Sequence, residues 1–331
     1  MLKNFESLKI YLGEYDMKGI ILVAGNGTRL APLTLSVSKP LLPVYDKPMI
    51  YYPLTTLIQA GIKDVLIITN AKDKQKFETL FGTGAELGMN ISYEVQHVQR
   101  GIADAFMVGE KFIGNDNVCL ILGDNIYHGD SMLPQLKASA RLQNGAEIYG
   151  YHVADPRRFG VAVFDQNKNV TAVEEKPAEP KSNLAVTGLY FFDNSVVEIA
   201  KHIQPSKRGE LEITDVINEY IKRGNCKLNE LGKDVIWMDV GTFQSLNKAS
   251  SLVETLQNVT SKYVACIEEQ AFDAGFINNK QLGNTIEKQK KSDYGKYLES
   301  VYNANCQAQK EAQNITEHFL DKYQNQSTKL R

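Results

Sequence analysis

The stretch Lys18–Pro43, KGIILVAGNGTRLAPLTLSVSKPLLP, constrains this chain more than any other. Gly19–Ala24 is a short, continuously apolar and partly β-branched run. Such a run is expected of a parallel strand buried on both faces. Gly25-Asn26-Gly27-Thr28 then forces a tight turn. Glycines let backbone N–H groups come close to a phosphate, and small residues at such a turn can form an anion nest. Arg29 and Lys39 follow as counter-charges. The plainer reading of Gly25–Gly27 is a simple βα turn. A dinucleotide-binding fingerprint fits poorly, because Leu30 stands in place of its third glycine, Pro32 interrupts the helix it needs, and the next strand ends on Asn70. No G-x-x-x-x-G-K-[ST] occurs.

Beyond the loop, apolar runs at 64–69, 91–96 and 118–122 alternate with helical patterns at 46–59, 73–81 and 103–112. This alternation predicts an α/β fold with a doubly wound, mainly parallel sheet, Rossmann-like, whose ligands bind beyond the carboxyl ends of the strands. Asp46 reads as the N-cap of the first helix. Strand 118–122 ends on Gly123-Asp124-Asn125, and a later apolar run ends on Met238-Asp239-Val240-Gly241. Two strand-end aspartates can converge on one divalent ion, although each is also an ordinary turn or cap residue. From Ala146 onward, strand patterns at 146–155, 160–164, 170–175 and 185–192 predict an added β-rich portion. The cluster Glu174-Glu175-Lys176-Pro177 follows a strand directed at the same cleft, and Lys207–Asp215 reads as the start of an amphipathic helix. Helical patterns dominate from Gly241.

Lys and Arg number 37 against 39 Asp and Glu, giving a net charge of −2. A global field for nucleic acid is therefore absent, and any anion site must be local. Cys119, Cys226, Cys266 and Cys306 form no C-x-x-C pair, and the default reading is a reduced, cytoplasmic protein without structural zinc. No stretch is apolar enough to predict a membrane span or a secretion signal.

G-N-G-T-R-L, S-K-P-L-L-P-V-Y-D-K-P-M-I-Y-Y-P, L-G-D-N, E-E-K-P, R-G-E-L-E-I-T-D and W-M-D-V-G occur in this order. Together they resemble the sugar-1-phosphate nucleotidylyltransferases, most nearly those that use thymidine nucleotides, over about residues 17–300. The resemblance implies a nucleotide-diphospho-sugar transferase fold and Mg²⁺-dependent formation of dTDP-glucose and pyrophosphate from dTTP and α-D-glucose 1-phosphate. That reaction opens dTDP-deoxysugar synthesis, such as that of dTDP-rhamnose. The resemblance assigns the nucleotide to Leu22, Ala24, Gly25, Gly27, Thr28, Arg29, Lys39, Gln96, Gly101 and Asp124. It assigns the sugar phosphate to Gly160, Glu175, Lys176, Val186 and Arg208, and the metal to Asp124 and Asp239. Arg29, Lys39, Asp124, Lys176 and Asp239 become the catalytic set. It further implies a homo-oligomer, typically a tetramer.

The chain is expected to divide into an N-terminal extension (1–16) and a core (17–245) with nucleotide (17–145) and sugar (146–245) halves. A helical assembly region (246–300) and a polar tail (301–331) would follow, the tail either disordered or a helix near 315–323. Ala24, Pro40, the 97–100 loop and Asp104, where glutamine is usual, depart from the family pattern near the nucleoside. UTP or another hexose phosphate is therefore the alternative within the family. A non-catalytic nucleotide-sugar sensor and a hydride-transfer enzyme are the alternatives outside it.

Overall fold

The computed structural model describes residues 17–167 and 169–328. The expected 1–16 extension and the last three residues of the polar tail lie outside them. In chain order the strands are β1 (Met17–Leu22), β2 (Pro43–Val44), β3 (Lys47–Pro48), β4 (Asp64–Thr69), β5 (Asn90–Val95), β6 (Asn117–Leu122) and β7 (Asn125–His128). They continue as β8 (Ala146–His152), β9 (Gly160–Phe164), β10 (Val170–Glu175), β11 (Leu184–Phe192), β12 (Cys226–Glu230) and β13 (Ile236–Asp239).

Among the described residues, nine of these make one sheet, ordered β10-β9-β11-β6-β1-β4-β5, with β8 on β11 and β12 on β8. Its N-terminal half is parallel, with β1 between β6 and β4 and Ile20 opposite Leu120 and Leu66. Buried on both faces, β1 keeps Ile20 and Ile21 fully from solvent, as its unbroken apolar run requires. β11 runs antiparallel to β6 and carries the added strands. The fold is thus α/β with a mixed, mostly parallel sheet.

Several elements differ from expectation for identifiable reasons. The first helix spans Tyr51–Gln59, not 46–59. Residues 43–48 form the β2–β3 hairpin, turned at Tyr45 with φ 59°, so Asp46 is no helix cap. The expected helix 103–112 is two short ones, Asp104–Val108 and Glu110–Ile113, hinged at Gly109. A Cβ there would lie 3.0 Å from Ile20 Cδ1, so the glycine lets the chain press against β1. The helix expected to open at Lys207 begins at Ile213, because Ser206 N–H donates to Glu210 O at 2.8 Å and closes a turn first. β13 is outside the main sheet and pairs antiparallel with β7, the continuation of β6. Helices Met132–Ser139, Val196–His202 and Asn279–Gln289, and strand β12, were not foreseen.

Two compact units divide at Ile267 and Glu268. In the first, helix Phe243–Thr260 opens with a Thr242–Ser245 capping box and packs Ala249 and Val253 against Val44, Met49, Tyr52, Ile126 and Val240. Its far end clasps the hairpin. Gln257 Oε1 accepts from Lys47 Nζ at 3.1 Å and from Val264 N–H at 3.0 Å, while Gln257 Nε2 donates to Asp46 Oδ2 at 2.9 Å. Lys47 is only 4 % exposed and lies over the Tyr52 and Tyr263 rings. Removing one member of a buried polar group strands the others. Gln257→Leu is accordingly expected to cost about 2–3 kcal/mol of stability, read as a lower midpoint in thermal or urea melts; an unchanged midpoint would contradict this role for the clasp.

The second unit is helical. Helix Asn279–Gln289 starts with an Asn278–Gln281 capping box, and the last helix runs from Asp293 to Thr328. Tyr294 and Tyr297 donate to Glu268 and Glu269. The tail therefore continues a helix begun 22 residues before the expected one.

Candidate active site

The loop after β1 has the shape its glycines predict. Gly27 takes φ 61°, ψ 30°, and a Cβ there would lie 3.0 Å from Thr34 Cγ2 and 3.1 Å from Lys39 Cβ. Any side chain would be both strained and crowded. Thr34 Oγ1 donates to Gly27 O at 2.9 Å, and Leu30 N–H to the same oxygen. A Cβ on Gly25 would meet nothing within 4 Å, so the backbone opens there onto free space. Thr28–Leu30 and Lys39–Leu41 are single 3₁₀ turns that present Arg29 and Lys39.

The opposite wall descends from the β6–β7 junction. Gly123 N–H donates to Leu22 O at 3.0 Å, which fixes Asp124 beside the loop. Lys39 Nζ forms an ion pair with Asp124 Oδ2. Asp239, last residue of β13, lies opposite Asn125, and Val240 N–H donates to Asp124 O at 2.9 Å. The two aspartates thus face one another through chain reversal, not through two parallel strand ends.

Their charges respond in opposite ways. Burial pushes the Asp124 carboxyl up, but the Lys39 ammonium and the Asn125 amide outweigh it and hold the group below the usual carboxylate range. Asp239 is pushed up to about 6 by burial and then by the Asp124 charge, against partial relief from Lys39, Arg29 and Arg158. A site that strains a carboxylate in this way is a candidate functional centre.

Arg29, Asp124, Asp239, Gly160, Glu175, Lys176 and Val186 line one cavity of about 220 Å³. Lys176, at φ 43°, turns back so that its Nζ is 3.0 Å from Glu175 Oε1. Arg208 Nη1 reaches the same oxygen at 3.1 Å from outside the lining. Val186 pairs with Gly160 across β11 and β9. Leu22, Ala24, Gly25, Gly27, Thr28, Lys39, Gln96 and Gly101 are outside this lining, and the loop that carries Gln96 and Gly101 reaches back to Ala24. There Gln99 Nε2 donates to Ala24 O at 2.7 Å and Gln99 Oε1 accepts from Asn26 at 3.1 Å. A hollow of about 880 Å³, lined by Glu198, His202, Asp215 and Asn218 among others, contains none of the expected residues. Converging charge, not volume, distinguishes the smaller cavity.

Two participants escaped the sequence. Arg158 Nη2 lies 3.7 Å from Asp239 Oδ2, with its guanidinium over Phe159. The Pro-Arg-Arg-Phe run before Gly160 was its available signal. Asn125, 2 % exposed, accepts at Oδ1 from Trp237 Nε1 at 2.6 Å and from Gly188 N–H at 3.2 Å, and donates to Asp124 Oδ1 at 2.9 Å. One amide thereby orients Asp124 and joins β7 to β11 and β13. Asn125→Ala leaves two buried donors without an acceptor. The expected results are a stability loss of about 2–4 kcal/mol and at least a tenfold lower turnover, measured by melting and by product formation.

The donor set fits a hard divalent cation. Among the described residues no group of three or more His, Cys, Asp or Glu side chains is placed to hold a metal. Two carboxylates suit Mg²⁺, which commonly takes one or two and fills its octahedron with water and substrate phosphate. Burial and, after it, the Asp124 charge raise Asp239, and the repulsion between the two carboxylates is what such an ion would relieve.

The family model described as nucleotidyl transferase matches residues 18–255, and the chain belongs to that family. A Neisseria gonorrhoeae protein named glucose-1-phosphate thymidylyltransferase is 51% identical over 282 residues, which cover 85% of this chain and 98% of that one. A Mycolicibacterium smegmatis protein of the same name is 48% identical over the same shares of each chain. The structure of a UDP-glucose pyrophosphorylase complexed with UDP-glucose superposes with a TM-score of 0.65 at 26% identity, covering 72% of this chain and 99% of that one.

Proposed function

We propose that this enzyme is a glucose-1-phosphate thymidylyltransferase, transferring dTMP from dTTP to α-D-glucose 1-phosphate. A phosphate oxygen of the sugar phosphate attacks the α-phosphorus of dTTP. The bond from that phosphorus to the oxygen bridging to the β-phosphate breaks, and its electron pair leaves with pyrophosphate. The observation that carries the reading is the convergence of Arg29, Arg158 and Lys176 with Asp124 and Asp239 around one cavity. Half identity over most of the chain to relatives of that name supports the substrates.

The attacking oxygen is already anionic, so no general base is required; the protein has to hold two repelling anions in line. The backbone at Ala24, Gly25 and Gly27, together with Leu22, Thr28 and Arg29, would cradle the triphosphate. Lys39 would balance charge on the α-phosphate and departing pyrophosphate. Lys176 and Arg208, gathered by Glu175, would draw in the sugar phosphate beside Gly160 and Val186. Gln96 and Gly101 would receive the base. Mg²⁺ held by Asp124 and Asp239 would supply Lewis-acid stabilisation of the phosphate oxygens. Among the described residues no helix is long and apolar enough to cross a membrane. We assign the enzyme to the cytoplasm, as a homotetramer that binds neither nucleic acid nor membrane.

Pyrophosphate release with glucose 1-phosphate and each of dTTP, UTP, ATP, CTP and GTP tests the reading. Release mainly with dTTP is expected. The likeness to a UDP-glucose pyrophosphorylase favours UTP as the second reading, and a strong UTP preference would replace the first. Absence of release with any of them, with other hexose 1-phosphates also inactive, would leave the non-catalytic sensor.

A further inference from the structure

Gln96 stands at the carboxyl end of β5, 5 % exposed. Its Nε2 donates to Asp104 Oδ2 at 2.8 Å and, more weakly, to Gly101 O at 3.4 Å. Both partners can only accept, one a carboxylate and the other a carbonyl. The amide therefore fits one way round, with nitrogen inward and Oε1 as its remaining function. Asp104 is 1 % exposed, and its other oxygen lies 2.7 Å from Arg100 Nη2. A glutamine in place of Asp104 could offer Gln96 either a donor or an acceptor; a carboxylate paired with a guanidinium offers only an acceptor. The same loop is fastened to the phosphate loop through Gln99. A nucleotide whose phosphates lie on Gly25–Gly27 thus has its base within this loop's range.

We propose that Asp104 is a positioning residue that locks Gln96 as a hydrogen-bond acceptor, so that the site selects a pyrimidine with N–H at ring position 3. The inference rests on the nucleotide reading above and deepens it. Thymine and uracil carry that N–H. Cytosine presents a lone pair there and meets the Oε1 lone pair head on. The device separates dTTP from dCTP and leaves dTTP and dUTP alike.

Calorimetric dissociation constants for dTTP, dUTP and dCTP, with Mg²⁺ and without sugar phosphate, test it on the whole chain. The wild type is expected to bind dTTP and dUTP within about threefold of each other and dCTP at least about 30-fold more weakly. In Asp104→Asn, Arg100, which can only donate, takes the single amide oxygen. The introduced amide then turns its NH₂ towards Gln96, and Gln96 turns over. The dTTP-to-dCTP preference should fall at least about tenfold, with dCTP binding tightened. Arg100→Met/Asp104→Asn frees the introduced amide oxygen for Gln96 and should restore most of the preference. A purely structural role for Asp104 would weaken all three nucleotides together and keep their ratio. Equal wild-type binding of dTTP and dCTP overturns the proposal, as does an unchanged ratio in folded Asp104→Asn. Should that variant not fold, dTTP carrying a 3-methyl group decides on the wild type: undiminished affinity overturns it, and a loss of at least about tenfold upholds it. Binding is read apart from turnover, so missing pyrophosphate release would defeat the proposed reaction without touching this ratio.

Discussion

Asp239→Asn is expected to lower Mg²⁺-dependent pyrophosphate release by about 10²–10³-fold and at the same time to stabilise the metal-stripped protein near neutral pH. The two effects share one cause. A carboxyl raised to about 6 binds its proton more tightly folded than unfolded. Between the ordinary carboxylate range and about 6 the folded chain holds the extra proton, so stability falls as pH rises through that window. Above it the full cost remains, on the order of 3 kcal/mol. Asparagine removes that cost together with the charge proposed to bind the metal. Melts in chelator should show the variant above wild type by a few degrees near neutrality, with the gap closing on acidification as Asp239 takes its proton. A gap that does not depend on pH would show that Asp239 is not the strained group.

Lys39→Met is expected to be comparably severe in turnover, about 10²–10³-fold, but with the opposite effect on stability. It deprives Asp124 of the ammonium that, together with the Asn125 amide, outweighs its burial, and leaves two buried carboxylates facing each other. Breaking such a pair from one side costs about 3 kcal/mol. The double variant Lys39→Met/Asp124→Asn should recover most of that stability and none of the activity. Recovery of both would mean that Lys39 serves only to neutralise Asp124 and that the Asp124 carboxylate is not needed for turnover. Failure to recover stability would place its cost in packing instead.

The parallel half of the fold was legible because β1 and β4 are buried on both faces and carry unbroken apolar runs. The Gly25–Gly27 loop was legible because backbone geometry is local and only glycine satisfies φ 61° against Thr34 and Lys39. What escaped depends on partners distant in the chain. Asp46 reads as a helix cap from its neighbours, yet its partner Gln257 is 211 residues away. Asn125 looks like a turn residue until Trp237, 112 positions on, delivers its indole N–H. Asp239 was recognised as a strand-end aspartate, but its strand joins β7 and not the main sheet, and that pairing brings Arg158 within reach. Gln99 and Asp104 were visible only as departures from a pattern. Their hydrogen bonds turn those departures into a specific arrangement.

The clasp at Gln257 also bears on where the chain can be cut. The family match ends at residue 255, a natural place to trim an expression fragment. Such a fragment would omit Gln257 and Val264, whose side chain and backbone N–H complete the surroundings of a lysine with almost no access to solvent. It would carry Lys39 and Asp239 on two arms no longer joined at their far ends. A fragment that keeps this clasp whole therefore extends past the end of the family match to about residue 267, where the first compact unit closes.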